Sequence, residues 1–447
     1  MRAIISFFNR KPLFIGIIFL FAAALLFTSA DPALAKWHHK SKGHKIHVGA
    51  AKVIVTPQEP VILGGKGDGL SSGVHDDLYA RAVVISGSKT LAAIVSVDNC
   101  GLHLGDVKLV REAVEERYGI SAQNLIVAST HSHNAPDLLG PYGGAMHHYT
   151  NDVYRPFLRE QMVQCVGKAL KGMQKAVVRV GSVEAQGMAF NRRFWPDEGP
   201  VDNELFVLQF LADKGNVIAT LVNFSVHAVL AVNSTLISAD AAGMLCHQLE
   251  SEYGGIAAYT NGAIGDKNPA PYFSEADAAP YSPDFDPAGE EQYAAVWEYA
   301  NDLSKYVRLA LEGGETFKKL RFEVAKTVLN LPLENEGFIM LFNFGLIERE
   351  YFVENDKYYI PVEVFVMKMG PIQIATMPGE FFTPTQLMLK EALGEYGFVI
   401  GLAPEELGYI VSPDQFEPGR YEESMSVTSS TGVMDPMLVE ALMGLID

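Results

Sequence analysis

Leu125-Ile126-Val127-Ala128-Ser129-Thr130-His131-Ser132-His133 decides how the rest of the chain is read. Its first residues form an apolar, β-branched run of strand length, which predicts a strand buried on both faces. Two histidines follow at i, i+2, and an extended backbone turns both to the same side. Open α/β sheets bind ligands where strands end, so a His-x-His there points to a metal or proton-transfer site. The competing reading is a pair of strand-end histidines satisfied by backbone hydrogen bonds. The stretch by itself supports both.

Working outward, the pattern of apolar run and polar terminus recurs. Ala82 to Ile85 and Ala92 to Val97 read as strands, the second ending at Asp98. Val107 to Tyr118 has helical periodicity, as does Arg155 to Leu170, where Pro156 falls in the tolerant first turn. Asn216 to Val226 ends at His227, and Gly255 to Tyr259 leads to Gly265-Asp266. Ile372 to Met377 runs into Pro378-Gly379-Glu380, and Phe398 to Leu402 precedes Leu407-Gly408-Tyr409. Strands alternating with helices predict an α/β fold of mixed, largely parallel sheets with flanking helices, and a site at the C-terminal strand ends. His131, His133, His227, Asp266, Glu380 and Tyr409 could then meet along one edge. Two imidazoles and a carboxylate with an open position form the ligand set of many catalytic zinc hydrolases. A metal so held lowers the pKa of bound water to about 7 and polarises a carbonyl. Each residue also has a structural reading: His227 at a core edge, Glu380 at a helix N-terminus, Tyr409 as a packing aromatic.

The 447 residues carry 48% hydrophobic and 20% charged side chains, enough for a large core. A net charge of −18 excludes nucleic acid as a partner, because that interaction needs basic surface. Arg2, Arg10 and Lys11 precede an unbroken apolar run of 15 residues, Leu13 to Phe27, and Ala33-Leu34-Ala35 supplies an A-x-A cleavage site. Residues 1–35 therefore read as a signal peptide, and the protein as secreted or extracytoplasmic; a retained N-terminal anchor is the alternative. Residues 36–47 read as a flexible basic, His-rich leader, and 48–447 as one domain. Gly64-Gly65-Lys66-Gly67-Asp68-Gly69 lacks the order of a phosphate loop and reads as a permissive loop at the edge of a site. Cys100, Cys165 and Cys246 are too far apart for a zinc cluster and read as buried thiols.

From about Val48 the chain resembles the catalytic domain of the neutral, non-lysosomal ceramidases. The likeness runs through Gly73-Val74-His75-Asp76-Asp77-Leu78-Tyr79-Ala80-Arg81-Ala82, Ser129-Thr130-His131-Ser132-His133 and Asn191-Arg192. It continues through Asn223-Phe224-Ser225-Val226-His227, Ser238-Ala239-Asp240-Ala241-Ala242-Gly243, Gly265-Asp266 and Met377-Pro378-Gly379-Glu380-Phe381. Gly408-Tyr409-Ile410 and Gly419-Arg420-Tyr421-Glu422 complete the ordered series. The resemblance implies an exported or membrane-associated zinc amidase that cleaves the N-acyl bond of ceramide or a related N-acyl lipid, with peripheral membrane contact. It assigns zinc to His131, His227, Glu380 and Tyr409. It leaves His133 and Asp266 to move protons, and Arg192 and Tyr421 to hold the scissile amide or a product carboxylate. Two departures stand out. Asn268 occupies the place of the family's serine in Gly265-Asp266-Lys267-Asn268-Pro269, which leaves zinc-bound water as the expected nucleophile. The chain also ends at Asp447, so the family's C-terminal immunoglobulin-like domain is expected to be missing. The alternatives are a zinc hydrolase of another amide or ester, and a catalytically inactive binding protein on the same fold.

Overall fold

The computed structural model describes residues 43–446 apart from 65–68, 88, 141–142, 196, 272–289 and 348. The expected signal peptide, residues 36–42 of the expected leader, the centre of the Gly64–Gly69 loop and most of the Pro- and Tyr-rich stretch after Pro269 lie outside the described residues. Lys42 to Asp447 form one compact unit. Ordered structure begins slightly before the expected boundary. His44 bridges Leu320, and the strand Ile46–Ile54 starts with a fully buried Ile46. No helix among the described residues is long and apolar enough to cross a membrane.

The larger sheet runs Ile256–Asn261, Val217–Phe224, Glu204–Ala212, Gln174–Glu184, Ile46–Ile54, Tyr79–Gly87, Thr90–Val97, Leu125–Ser129, with Glu315–Phe317 added beside Gln174–Glu184. A mixed α/β fold was expected and is found, but with less parallel pairing than the alternation of elements implied. Only the two outermost pairs are parallel, Thr90–Val97 with Leu125–Ser129 and Val217–Phe224 with Ile256–Asn261. Each is joined through a crossover helix, Leu104–Tyr118 or Asp240–Tyr253. All pairs between them are antiparallel. The reason is connection length: a short link such as 213–216 can only return the chain antiparallel, whereas a parallel partner needs a crossover of about a dozen residues or more.

A second sheet, Phe322–Leu333, Lys357–Met369, Ile372–Thr376 and Tyr396–Ile400, packs on the first. Alternation along the strands builds the layers. Phe206 and Phe210 meet Phe365, Met367 and Phe398 between the sheets. Val207 and Val222 face helices on the opposite side of the first sheet. On the outer side of the second, Val364 and Val366 pack on Leu389, Leu438 and Leu442. The result is four layers, helices–sheet–sheet–helices. Leu125–Ser129 is buried on both faces as its composition predicts, with Leu125 and Val127 toward the helices and Ile126 and Ala128 between the sheets. Cys100, Cys165 and Cys246 are buried free thiols.

Candidate metal centre

His131 lies just past the end of its strand with φ 65°, a left-handed conformation uncommon for a residue with a side chain. The backbone around it is pinned. Thr130 N–H donates to the Val97 carbonyl at 2.9 Å, and Ser132 Oγ donates to the Ser238 carbonyl at 2.7 Å. Such strain persists only when neighbours enforce it, and it concentrates at functional positions. In this turn the imidazole Nδ1 lies 2.6 Å from the Cys100 carbonyl, and Nε2 faces Glu380 Oε1 at 3.5 Å.

His227 repeats the arrangement from the other parallel pair. Its Nδ1 is 3.0 Å from the Lys267 carbonyl, and its Nε2 is 2.8 Å from Glu380 Oε2. Both rings thus give their Nδ1 proton to a backbone oxygen, which fixes the tautomer with a bare Nε2 toward the carboxylate. His227 Nε2 and Glu380 Oε2 form a close ion pair with each other, and neither buried atom has a hydrogen bond to any other group. Buried polar groups are nearly always satisfied, so two orphans aimed at one point mark the place of a missing partner. The ligand atoms of His131, His227 and Glu380 lie within 4.8 Å of one another. Two nitrogens and a carboxylate oxygen at that spacing fit a small divalent cation.

Glu380 and Tyr409 reach this point together, because Glu380–Phe381 and Tyr409–Ile410 form a short parallel pair in which these two residues are directly opposite. Glycine makes the approach feasible. A side chain at Gly379 would meet the Gly408 carbonyl at 2.5 Å, and one at Gly408 the Met425 carbonyl at 1.8 Å. The Arg192 guanidinium stands 5.3 Å over the Tyr409 ring. The Tyr421 ring is 5.8 Å from Tyr409, and Tyr421 is 57% exposed. His133 Nε2 sits 3.2 Å from His131 Nε2. His131, His133, Glu380, Tyr409 and Tyr421 line one cleft, open to solvent.

The charges are tuned by burial against neighbours. Burial opposes a charged Glu380, but the two imidazoles outweigh it and hold the carboxyl well below its usual value. Burial likewise opposes a charged His131, yet Glu380 outweighs it and raises the imidazole. At His227 burial wins and the pKa is lowered. Burial also raises the Tyr409 phenol well above its usual value, against the pull of Arg192. An ionised carboxylate facing two buried imidazoles suits a site that takes up a cation.

Two residues expected to take part in the chemistry stand apart. The Asp266 carboxylate is fully buried and engaged, accepting from Asn191 Nδ2 at 2.9 Å, Thr383 Oγ1 at 2.8 Å and the Thr383 N–H at 3.2 Å. Like His227 and Arg192 it is set back from the cleft lining, and burial raises its carboxyl. Asn268 lies in Lys267–Pro269, paired with Ala189–Asn191, and does not line the cleft either. The motif acts through its backbone instead. The Asp266 carbonyl accepts from Arg192 N–H at 2.8 Å, while the Lys267 carbonyl orients His227.

Sequence reasoning missed Glu406 and Cys100. Glu406 lines the cleft with Oε1 accepting from Gly408 N–H at 2.7 Å and a buried, unpartnered Oε2. Burial, then nearby Glu380, pushes its carboxyl well up. Its position three residues before Tyr409 was the available signal. Cys100 contributes its carbonyl to His131, a role that side-chain identity does not advertise.

A family profile described as neutral/alkaline non-lysosomal ceramidase, N-terminal, matches residues 47–289, more than half of the chain. The chain belongs to this family. Ceramidases are amide hydrolases, and membership makes this protein a ceramidase-like hydrolase. Among solved structures, the neutral ceramidase from Pseudomonas aeruginosa superposes with a TM-score of 0.70 at 17% identity, covering 90% of this chain and 75% of that one. A ceramidase complexed with C2 gives a TM-score of 0.71 at 15% identity over the same shares. At these identities the superpositions establish the ceramidase fold. No curated protein matches the sequence.

Proposed function

We propose that this ceramidase-family protein is an exported, zinc-dependent amidase that cleaves the N-acyl bond of ceramide or a related N-acyl lipid. The reading is carried by the unpartnered pair His227 Nε2 and Glu380 Oε2, buried beside His131. Tyr409, opposite Glu380, is the proposed fourth ligand. Export is supported by the basic, apolar and A-x-A succession of residues 1–35. Bound zinc would supply an acidified water and a polarised amide carbonyl.

The chain's own groups divide the remaining tasks. His133, beside His131 at the cleft wall, takes the proton of the attacking water and returns it to the leaving amine. Tyr421, on the exposed side of the cleft, donates its hydroxyl to the developing oxyanion. Arg192 holds the Tyr409 ring and is itself braced by Glu422 at 3.3 Å. Asn268 cannot form an acyl-enzyme, so water is the nucleophile. Asp266 and Lys267 keep Arg192 and His227 in place.

Elemental analysis of the purified protein, followed by turnover of a panel of N-acyl lipids, soluble N-acyl amides and esters, tests the proposal. About one zinc per chain is expected, with lipid amide hydrolysis lost to chelator and restored by zinc. Metal-free protein without turnover on any of the panel would mean an inactive binder. Turnover confined to soluble amides or esters would keep the metal and discard the lipid.

A further inference from the structure

The helix Glu336–Asn343 has a composition that its surroundings do not explain. Phe338-Ile339-Met340-Leu341-Phe342 are five successive large apolar residues, and 3.6 residues complete a turn, so they circle the helix. A helix that is apolar all round belongs in an interior. Phe342 is buried, and Phe338, Ile339 and Leu341 pack half-buried on the core behind it, but Met340 is 53% exposed and the following Phe344 is 73% exposed. The neighbouring hairpin extends the same surface. Tyr351 stacks on Phe342 at 5.8 Å and donates its hydroxyl to Asn343 at 3.0 Å, and Val353 at the hairpin end is 54% exposed. An apolar surface of this kind marks an interaction site.

We infer that this helix and hairpin form the face by which the protein docks on an uncharged lipid surface, with Met340, Phe344 and Val353 inserted. The choice of occupant rests on the lipid-substrate reading above and on two observations. The face is continuous with the cleft: Phe338 lines it, and Asn335 at the helix start donates to the carbonyls of Ser424 and Ser426 at 2.8 and 3.0 Å, beside the cleft residues Tyr421 and Met425. A rigid protein partner on this face would crowd the entrance, whereas a fluid lipid surface would supply it. The charges nearby are Glu336, Glu354 and Asp356 against Lys357, with Glu350 paired to Lys108 at 2.6 Å, on a chain of net charge −18. An acidic rim repels anionic membranes, so attachment here is apolar and directed to zwitterionic lipid.

Flotation of the full chain with phosphatidylcholine vesicles tests this without reference to turnover. Wild type is expected to float, equally at low and high salt, and Met340→Asp plus Phe344→Asp to weaken binding at least about tenfold, since two large apolar side chains leave the bilayer. Circular dichroism and an unchanged zinc content separate this from misfolding, and Val353→Asp alone gives a milder loss should the double variant misfold. Wild type that floats only with anionic vesicles at low salt would overturn the inference. So would a double variant that floats like wild type, or one whose only change is from dimer to monomer, which would make the face a contact between copies. Vesicle binding without hydrolysis of any N-acyl lipid would sink the substrate reading and leave the docking face standing.

Discussion

Two buried polar regions lie side by side, and they differ in how their carboxylates are partnered. At His131, His227 and Glu380 the outer nitrogens are anchored to backbone carbonyls while His227 Nε2 and Glu380 Oε2 are left without hydrogen bonds to any other group. At the Gly265–Pro269 turn the Asp266 carboxylate has three donors, while Asn268 Oδ1 beside it is a buried atom without a partner. Both read as functional in the sequence. Burial does not separate them, since each holds a buried carboxylate, but charge does: the imidazoles hold Glu380 well below its usual value, whereas burial raises Asp266. What separates the two carboxylates is the company they keep: Asp266 is held by amide, hydroxyl and backbone donors, whereas Glu380 faces two imidazole nitrogens at metal-ligand spacing.

The harshest way to break this contrast is to remove the metal side. His131→Ala plus His227→Ala should reduce bound zinc to background and lower turnover by more than about a thousandfold, because too few ligands remain. Retained stoichiometric zinc by elemental analysis would show that the orphaned atoms are not the site. Asp266→Ala strikes the other region. It should destabilise the fold by about 2–4 kcal/mol in urea titration, by stranding the buried donors of Asn191 and Thr383, while zinc content holds in the folded fraction. Loss of zinc at unchanged stability would reverse the assignment.

A smaller effect concerns buried carboxyls outside the metal set. Burial, only partly offset by Arg349 at Glu405, pushes Glu405 up to about 7, and burial does the same at Asp435. A folded-state pKa above the unfolded one means that the native protein binds more protons between the two, so stability falls as pH rises from about 4 to about 7. Glu405→Gln combined with Asp435→Asn should flatten that slope in urea titrations across the range. An unchanged slope would show that these carboxyls ionise normally.

The mildest test is Asn268→Ser, which restores the family's residue. Because Asn268 stands away from the cleft, zinc content should stay the same and turnover should change less than about tenfold. A gain of several orders of magnitude, with an acyl-enzyme trapped by rapid quench, would bring the turn back into the chemistry.

Much of this was legible in the chain. Strand-end polar residues after apolar runs led to His131, His227 and Glu380, because a buried strand leaves a polar group only where it emerges. The excess of parallel pairing was a misreading of two real crossovers as a rule for the whole sheet. The short link 213–216 already required an antiparallel return there. Asp266 carries a different lesson: a carboxylate at a strand end looks the same in sequence whether or not donors surround it.

The sequence by itself determined the mixed α/β class, the strand ends and the residue types available for a metal, since these follow from periodicity and side-chain chemistry. It also placed the five apolar residues of 338–342 in one run, although nothing local says whether such a run is covered. Only the tertiary structure decided which atoms lack partners. His227 Nε2 is an orphan because Lys267, 40 positions away, holds Nδ1 and turns the ring, and Glu380 meets it from a short strand pair that two glycines allow. Satisfaction of a buried polar group depends on every neighbour brought in from elsewhere in the chain, so no local pattern encodes it.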